Sequence, residues 1–380
     1  MKTKQILKKL ISFKSISEQE NITLLNYVSS YLRKFNVDAE IINRHQNRAN
    51  LYCRIGPNST GGLMLSGHTD VVPVENQKWK TNPFELVEKD KKYFGRGTAD
   101  MKSFVAIVLS LVPKIIGRNL KKPVHIMLSY DEEIGCVGIQ KAVPFLKSLR
   151  KKPSYCIVGE PTEMRVITEH KGKKNFVVSF NGVESHSSQI DKGVNAIKYA
   201  TKFITYLNLI EKKLRKKSFQ NKNYNPPYSS INVGLIHGGI ALNIIPSICN
   251  LEFEIRDLPS NNMSRIIGEI KEYLFSNLEK EMKKKDDKCF IKFSITNNFP
   301  PLKTLMNNQI VNLALGNLNT NITDTVSFGT EAGVFNKIPI ETIVCGPGSI
   351  DQAHKPNEFI LIEQINKCEV FLEKMIKTIC

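Results

Sequence analysis

The amino-acid sequence predicts an α/β fold, in which a mostly parallel sheet carries helices on both faces and a smaller α+β domain is inserted. Hydrophobic strand-like segments alternate with helical segments up to about residue 160, which is typical of a parallel sheet. From about residue 174 the order changes to strand, helix, two strands, helix and strand, the ferredoxin-like pattern. After about residue 300 the first alternation resumes, and a length of 380 residues also favours two domains.

The first predicted elements are two helices. The segment MKTKQILKKLISFKS is interpreted as an amphipathic helix, because lysines interrupt its apolar residues and a secretory signal needs an unbroken apolar core. Ser17 and Glu20 have the spacing of a capping box, which predicts that a second helix begins there.

Strands and helices then follow in the order that defines the domains. In the first region we predict strands at 63–66, 124–130 and 155–158, separated by helices at 101–116 and near 139–149. In the second region we predict the strand NFVVSFNG, the helix GVNAIKYATKFITYLNLI, strands near 230–236 and 248–255, a helix near 262–280 and a strand at 289–295. In the third region we predict a helix near 307–318, a strand at 341–345 and a final helix. The predicted larger domain is therefore discontinuous, with residues 1–173 and 290–380, and residues 174–289 form the inserted one.

Composition and charge exclude several classes of protein. The chain is 41% hydrophobic and 24% charged, as globular proteins are, and no apolar run approaches the roughly 18–20 residues that span a bilayer. The eight cysteines form no CxxC pair, which favours buried free thiols in a reducing compartment, so we expect a cytoplasmic protein. The net charge is +18, but the densest basic runs, at 211–217 and 279–288, contain acids or follow helical patterns. We therefore expect neither a nucleic-acid nor a membrane partner.

Polar side chains recur where predicted strands end, and they are the candidates for the chemistry. They are His68 and Asp70, then Asp100, then Glu132 and Glu133, then Glu160, and finally His354. Ligand sites form at the carboxyl ends of strands in such sheets, so these distant residues can converge. Each alone has an ordinary explanation as a paired, solvent-facing or helix-capping residue. Together they offer imidazole nitrogen and carboxylate oxygen without thiolate, which predicts a site for a divalent metal ion.

Longer strings of the sequence resemble the M20 metallopeptidase family. The strings are SGHTDVVPV, GRGTADMK, DEEIGCVG, VGEPT, HSS with GVNA, GGIALNIIP and CGPGSIDQAHKPNE. The resemblance extends from near residue 10 to the C-terminus. It implies a zinc-exopeptidase-like catalytic domain, an inserted domain that acts as a lid and in dimerisation, and a homodimer.

The resemblance also implies two divalent metal ions, Zn²⁺ or Co²⁺, and their ligands. The implied ligands are His68, Asp100, Glu133, Glu160 and His354. Asp100 would bridge the two ions, and its peptide bond to Met101 would be cis. Asp70 would orient His68, and Glu132 would act as the general acid and base. Two such ions can activate water and polarise the carbonyl of an amide.

In the inserted domain, the resemblance gives His186 a role at the active site of a neighbouring subunit. There it would donate a hydrogen bond to the tetrahedral oxyanion. Ser185 stands where the family usually has glycine, which leaves the local backbone open.

Four further residues match substrate-binding positions of the family. Asn243 and Arg256 would bind the α-carboxylate of the substrate, and Arg suits a planar carboxylate through its fork of donors. Gly329 and Thr330 would form a turn that contacts the substrate. Glu331 has two alternatives, contact with a substrate ammonium group or a structural role.

The activity that the resemblance implies is removal of the acetyl group from N2-acetyl-L-ornithine, which yields L-ornithine and acetate in arginine biosynthesis. One alternative is another activity of the same family, desuccinylation of succinyl-diaminopimelate or deacylation of a different N-acyl amino acid. Another class of function is a catalytically silent basic binding protein. Such a protein would lack the base or a ligand, and all of these candidates are present in the sequence.

Overall fold

The computed structural model describes residues 2–380 and consists of two compact units. The larger unit contains the chain up to His170, Leu302–Thr325 and Thr330–Cys380. The smaller unit contains Lys171–Pro301 and Val326–Gly329.

The regular elements are numbered here in chain order. The helices are α1 (Thr3–Ile11), α2 (Ile22–Arg33), α3 (Lys102–Ile116), α4 (Val137–Ser148), α5 (Ala196–Leu214), α6 (Met263–Glu272), α7 (Lys280–Lys283), α8 (Gln309–Leu318), α9 (Ala332–Phe335) and α10 (Ile362–Ile379). The strands are β1 (Ala39–His45), β2 (Arg48–Ile55), β3 (Leu63–His68), β4 (Val87–Lys89), β5 (Lys92–Phe94), β6 (Val124–Ser129), β7 (Tyr155–Val158), β8 (Val166–His170), β9 (Gly172–Asn181), β10 (Ser230–Gly238), β11 (Ile248–Asp257), β12 (Phe290–Phe299), β13 (Leu302–Lys303), β14 (Thr323–Val326), β15 (Glu341–Val344) and β16 (Phe359–Leu361). A π-helical stretch, Tyr273–Glu279, joins α6 to α7.

The larger unit is built around a nine-stranded sheet in the order β1-β2-β6-β3-β7-β15-β8-β13, with β14 paired to β8. The central strands β6, β3, β7 and β15 run parallel, and the strands outside them pair antiparallel. All residues of β3 and β6 are buried, so helices and loops cover both faces of the sheet at its centre. The predicted fold class is confirmed, but the antiparallel outer strands were not predicted.

Two predictions for the N-terminal region had different outcomes. Helix α1 forms as predicted, and its apolar side chains, among them Ile6 and Leu10, are buried. The capping-box prediction is wrong, because α2 begins at Ile22 and the Ser17 hydroxyl donates instead to the Asp70 carboxylate at 2.8 Å.

The smaller unit is a four-stranded antiparallel sheet in the order β10-β11-β9-β12. With its helices this is the ferredoxin-like arrangement that the order of elements predicted. Its core includes stacked rings of Phe176 and Phe253, with centroids 4.6 Å apart. Strand β12 pairs with β9 along its length, and the unit therefore runs to Pro301 and past the predicted boundary at residue 289.

Two expectations from the sequence concern the state of the cysteines and the presence of membrane-spanning helices. Within residues 2–380, all eight cysteines are buried and unpaired, as predicted. In the same residues, we find no helix with the length and apolar character needed to span a bilayer.

Close packing at the end of β7 makes a glycine necessary beside the polar residues of the sheet edge. A Cβ on Gly159 would lie 2.0 Å from the Phe104 ring, on α3. We expect Gly159→Ala to lower the free energy of unfolding by about 1–3 kcal/mol, because the ring must move within a close-packed core. Urea titration followed by circular dichroism measures this change. Gly268→Ala, on α6 with open space around it, is the matched control and should raise stability by about 0.5–1 kcal/mol. Equal effects of the two substitutions would contradict the packing argument.

Candidate metal centre

Three neighbouring parallel strands bring the candidate residues to one edge of the sheet. Strand β3 lies between β6 and β7 and runs parallel to both. His68 is the last residue of β3, Glu132 and Glu133 follow β6, and Glu160 follows β7. Their convergence was predicted from strand ends alone, and the structure brings these side chains together.

Five side chains form two groups of potential metal ligands that share one carboxylate. In each group, one ligand atom per residue lies within 4.8 Å of the others. The first group is His68, Asp100 and Glu160, and the second is Asp100, Glu133 and His354. Asp100 Oδ1 lies 3.0 Å from His68 Nε2, and its Oδ2 lies 3.3 Å from His354 Nε2. One carboxylate therefore faces both groups, one oxygen to each.

Asp70 fixes the orientation of the His68 ring. The His68 Nδ1 atom lies 2.9 Å from the Asp70 carbonyl oxygen and 3.6 Å from its Oδ1. A proton on Nδ1 donates to that carbonyl, which leaves Nε2 as the ring nitrogen that faces Asp100 and Glu160. These are the contacts that the orienting role requires, and that role of Asp70 stays a prediction.

The Asp70 carboxylate also holds the backbone of the two adjacent glutamates. Its Oδ1 accepts the N–H of Glu132 at 3.1 Å, and its Oδ2 accepts the N–H of Glu133 at 3.3 Å. The Ser17 hydroxyl donates to the same Oδ2. Sequence reasoning missed this role of Ser17, since its spacing to Glu20 indicated a helix cap.

Glu132 occupies a position apart from both ligand groups. Among the described residues, neither group includes it, and its Oε1 lies 3.2 Å from the Cys136 thiol, which donates to it. A carboxylate outside the ligand groups but beside them is available to exchange a proton, as a general base requires.

Asp100 and His354 both lie on unusual backbone. The peptide bond between Asp100 and Met101 is cis, as the family resemblance implies. His354 has φ of 62°, in the left-handed region that residues other than glycine seldom adopt. Its side chain is 52% exposed, whereas that of His68 is fully buried, so the second ligand group faces solvent.

Burial and mutual repulsion raise the pKa of most carboxyl groups here. Burial raises the pKa of Glu132 to about 8 and that of Glu133 to about 7, and the charge of Asp100 acts in the same direction on both. Burial also raises the pKa of Glu160 well above its usual range, reinforced by Asp100.

The two imidazoles and Asp100 stabilise each other in their charged forms. Hydrogen bonds to Asp100 and Glu133 raise the pKa of His354 to about 10. Burial raises the pKa of Asp100, but hydrogen bonds from His354 and His68 outweigh it and hold that pKa below its usual range. The positively charged forms of the two imidazoles are therefore strongly favoured beside these carboxylates.

The donor chemistry fits divalent metal ions. The groups supply imidazole nitrogen and carboxylate oxygen, the donors of zinc and related ions. A cation among the carboxylates would offset their repulsion, and its binding would release protons from the two histidines.

His186 is an exposed residue of the smaller unit with a defined hydrogen-bond pattern. Its Nδ1 accepts from the Ser188 backbone N–H at 3.2 Å and lies 2.7 Å from the Ser188 hydroxyl. The ring proton is thereby placed on Nε2, which can donate to a partner. The backbone of Ser185 is not in the left-handed region, so serine fits where the family usually has glycine.

The remaining predicted substrate residues are spread over different elements. Asn243 is exposed in a loop, where its carbonyl accepts the Ser187 N–H. Arg256 lies on β11, with Nε donating to Glu254 at 3.0 Å. Their roles in binding a substrate stay predictions.

Gly329 and the two residues after it have structural contacts. A Cβ on Gly329 would lie 1.9 Å from the Phe299 ring. Thr330 is buried, and its hydroxyl accepts the Ala332 N–H at 3.1 Å. The carboxylate of Glu331 is buried and accepts two serine hydroxyls, from Ser66 and Ser129, each at 2.6 Å. These contacts agree with the structural alternative for Glu331, and substrate contact by Gly329 and Thr330 stays a prediction.

Arg96 and Glu358 are two further buried residues that sequence reasoning missed. They form an ion pair of 2.8 Å, and Glu358 also accepts the backbone N–H of Asp100 at 3.1 Å. Both lie in strings that carried the family resemblance, GRGTADMK and CGPGSIDQAHKPNE, but nothing in either string showed that the two would meet.

Known proteins with similar sequences are amide hydrolases. Residues 64–378 match the family described as Peptidase family M20/M25/M40. The chain is 34% identical to the acetylornithine deacetylase of Buchnera aphidicola subsp. Acyrthosiphon pisum (strain Tuc7), over 99% of this chain and 97% of that protein. It is also 34% identical to the acetylornithine deacetylase of Pasteurella multocida (strain Pm70), over 96% of this chain and 92% of that protein.

Three solved structures of peptidases have the same fold. A tripeptidase from Staphylococcus aureus superposes with a TM-score of 0.76 at 19% identity, covering 99% of this chain and 97% of that one. An M20 family metallo-carboxypeptidase from Sulfolobus solfataricus gives 0.75 at 19% identity, covering 99% of both chains. A dinuclear metal binding peptidase of the M20 family from Bacillus subtilis gives 0.68 at 14% identity, covering 98% of this chain and 96% of that one.

The family match and the two relatives extend over most of the chain, and five of the motifs that carry the resemblance contain the residues of the two ligand groups. The chain belongs to peptidase family M20/M25/M40 and is a metallohydrolase that acts on amide bonds.

Proposed function

We propose that the protein removes the acetyl group from N2-acetyl-L-ornithine and produces L-ornithine and acetate, a step of arginine biosynthesis. The observation that carries this proposal is the nearly full-length similarity to relatives named acetylornithine deacetylase. The candidate metal centre supplies the groups that hydrolysis of an unactivated amide needs. The eight buried, unpaired cysteines fit a reducing compartment, and we propose that the protein acts in the cytoplasm.

The centre is proposed to hold two divalent metal ions, zinc or cobalt. His68, Asp100 and Glu160 would bind one, and Asp100, Glu133 and His354 the other. The Asp100 carboxylate, with one oxygen toward each histidine, supports a bridging role. A similar fold in a dinuclear metal binding peptidase is consistent with two ions.

The roles of the protein's own residues follow from their positions. Bound divalent ions supply Lewis acidity and a water of lowered pKa. Glu132 would accept the proton of the attacking water and deliver it to the departing amine, because it lies beside the ligand groups without belonging to them. The Cys136 thiol and the Asp70 carboxylate hold Glu132 through its side chain and its backbone. Asn243 and Arg256, in the smaller unit, are the proposed partners of the substrate carboxylate. Gly329 and Thr330 are proposed to form a turn that contacts the substrate.

A homodimer is part of the proposal, since His186 would act on the neighbouring subunit. Strand β10 is at the edge of its sheet, where backbone groups can pair with another chain. Apolar side chains on β10 and the following loop are exposed, among them Leu235, Ile240 and Leu242. An exposed apolar edge of this kind supports self-association.

The second candidate substrate is another acyl amino acid, and succinyl-diaminopimelate is the first alternative. The same metal centre would hydrolyse either amide, because the chemistry is common to both and only the pocket differs. A catalytically silent binding protein is disfavoured, since the base candidate and all five ligand candidates are present and lie together.

The substrate and the metal requirement are tested in one assay. We expect purified protein stripped with a chelator to lose activity and to regain it with zinc or cobalt. With N-acetyl-L-ornithine it should release ornithine at a higher kcat/KM than it releases product from succinyl-diaminopimelate or acetyl-methionine. Glu132→Gln should lower kcat by at least about 100-fold, because proton transfer by a positioned carboxylate contributes that much.

The matched control is Glu40→Gln, the same change at an exposed residue of β1, which should retain wild-type kcat. Preference for another acyl group would retain the mechanism and overturn the proposed substrate. Undiminished turnover by Glu132→Gln would overturn its role as the base.

The dimer and His186 are tested by mixing two inactive variants. We expect His186→Ala and Glu132→Gln to be nearly inactive alone. After dissociation and reassociation together they should recover about a quarter of wild-type activity, since half of the dimers are mixed and each mixed dimer has one complete site. Steady-state release of ornithine measures the recovery. Absence of recovery from mixed dimers, verified with two different affinity tags, would mean that His186 does not serve the partner subunit.

A further inference from the structure

A buried carboxylate, Glu358, holds the loop that presents the shared ligand Asp100. Its Oε1 accepts the backbone N–H groups of Ala99 and Asp100, at 2.7 and 3.1 Å. Its Oε2 accepts the N–H of Gly97 at 3.1 Å and Arg96 Nη1 at 2.8 Å. Four donors on one carboxylate leave the loop little freedom to shift.

Arg96 extends these contacts to a second loop. Its side chain is 1% exposed and lies over the Trp79 ring, 5.1 Å from the centroid. Nη2 donates to Gln77 Oε1 at 2.6 Å, and Nη1 also reaches the Lys355 carbonyl at 3.3 Å. A guanidinium suits this position because its donors point in fixed directions to several acceptors at once.

Gln77 completes the connection to the second histidine. Its Nε2 donates to the His354 carbonyl oxygen at 2.9 Å. The His354 side chain is half exposed, and its backbone is left-handed. The position of its imidazole therefore depends on how firmly its backbone is held.

We propose that Glu358, Arg96 and Gln77 are positioning residues of the metal centre that hold Asp100 and His354 in place for the second ligand group. This network touches two of the three ligands in that group, Asp100 and His354. It touches only Asp100 in the first group, whose His68 is oriented by Asp70. Loss of the network should therefore weaken metal binding unequally at the two positions.

The inference rests on the two-metal proposal, and its test is metal binding rather than turnover. Metal-stripped protein is titrated with Zn²⁺ in a calorimeter, and Co²⁺ absorption spectra report the ligand geometry. Gln77→Leu should retain the fold because Gln77 is partly exposed. We expect this substitution to weaken the binding of the second Zn²⁺ equivalent by about 10–100-fold, the usual effect of removing a residue that orients a ligand. The affinity for the first equivalent should change much less. Glu358→Gln should weaken the binding of both Zn²⁺ equivalents, and that of the second equivalent more.

Asp257→Asn is the matched control. Asp257 is a buried carboxylate of the smaller unit, paired with Lys174 at 3.0 Å, so its loss should affect stability without changing the affinity for either equivalent. Wild-type affinity for both equivalents in Gln77→Leu, or in folded Glu358→Gln, would overturn the inference. Fewer than two equivalents bound by the wild-type protein would overturn the two-metal proposal and this inference with it.

Discussion

Repulsion among closely spaced carboxylates is the constraint on which the arrangement of this protein depends. Asp70, Asp100, Glu132, Glu133 and Glu160 approach one another at the end of a buried sheet. Charges with little access to water interact strongly, so each carboxylate needs donors or cations nearby. The backbone and hydroxyl donors around Asp70 and the two imidazoles around Asp100 supply part of that need. The negative charge that these donors do not offset gives the site an affinity for cations, which is the property that a metalloenzyme requires.

How much of the candidate metal centre could be predicted from the sequence depended on the parallel strands. A candidate ligand at the end of a hydrophobic strand or just after it, such as His68 or Glu160, could be located because adjacent parallel strands end at the same edge. Glu358 could not be located in this way, since it lies 259 positions from Ala99, whose N–H it accepts. Ser17 was interpreted wrongly, because a hydroxyl three residues before a glutamate has the same local pattern whether it caps a helix or binds Asp70. The spacing of residues along the chain does not reveal hydrogen bonds between residues that are distant in sequence.

The structure of the smaller unit could also be predicted only in part from the sequence. Its order of elements was predicted, since each strand and helix has its own hydrophobic period. Its extent was not, because β12 belongs with β9 through pairing across more than a hundred residues. Two residues of this unit with proposed roles, His186 and Asn243, lie in exposed loops. A loop can carry specificity without altering the core, so one fold is compatible with more than one substrate.

The shared carboxylate has a consequence for how the centre fills. Because Asp100 presents one oxygen to each ligand group, occupancy of one position changes the charge and the freedom of a ligand of the other. The two positions would therefore be thermodynamically linked, and the linkage would be reciprocal. With the first position occupied, the Asp100 carboxylate would lose less entropy on binding at the second, but it would also be a weaker electron donor there. The balance of these two effects sets whether the pair loads cooperatively or stepwise as the free metal concentration in the cell rises.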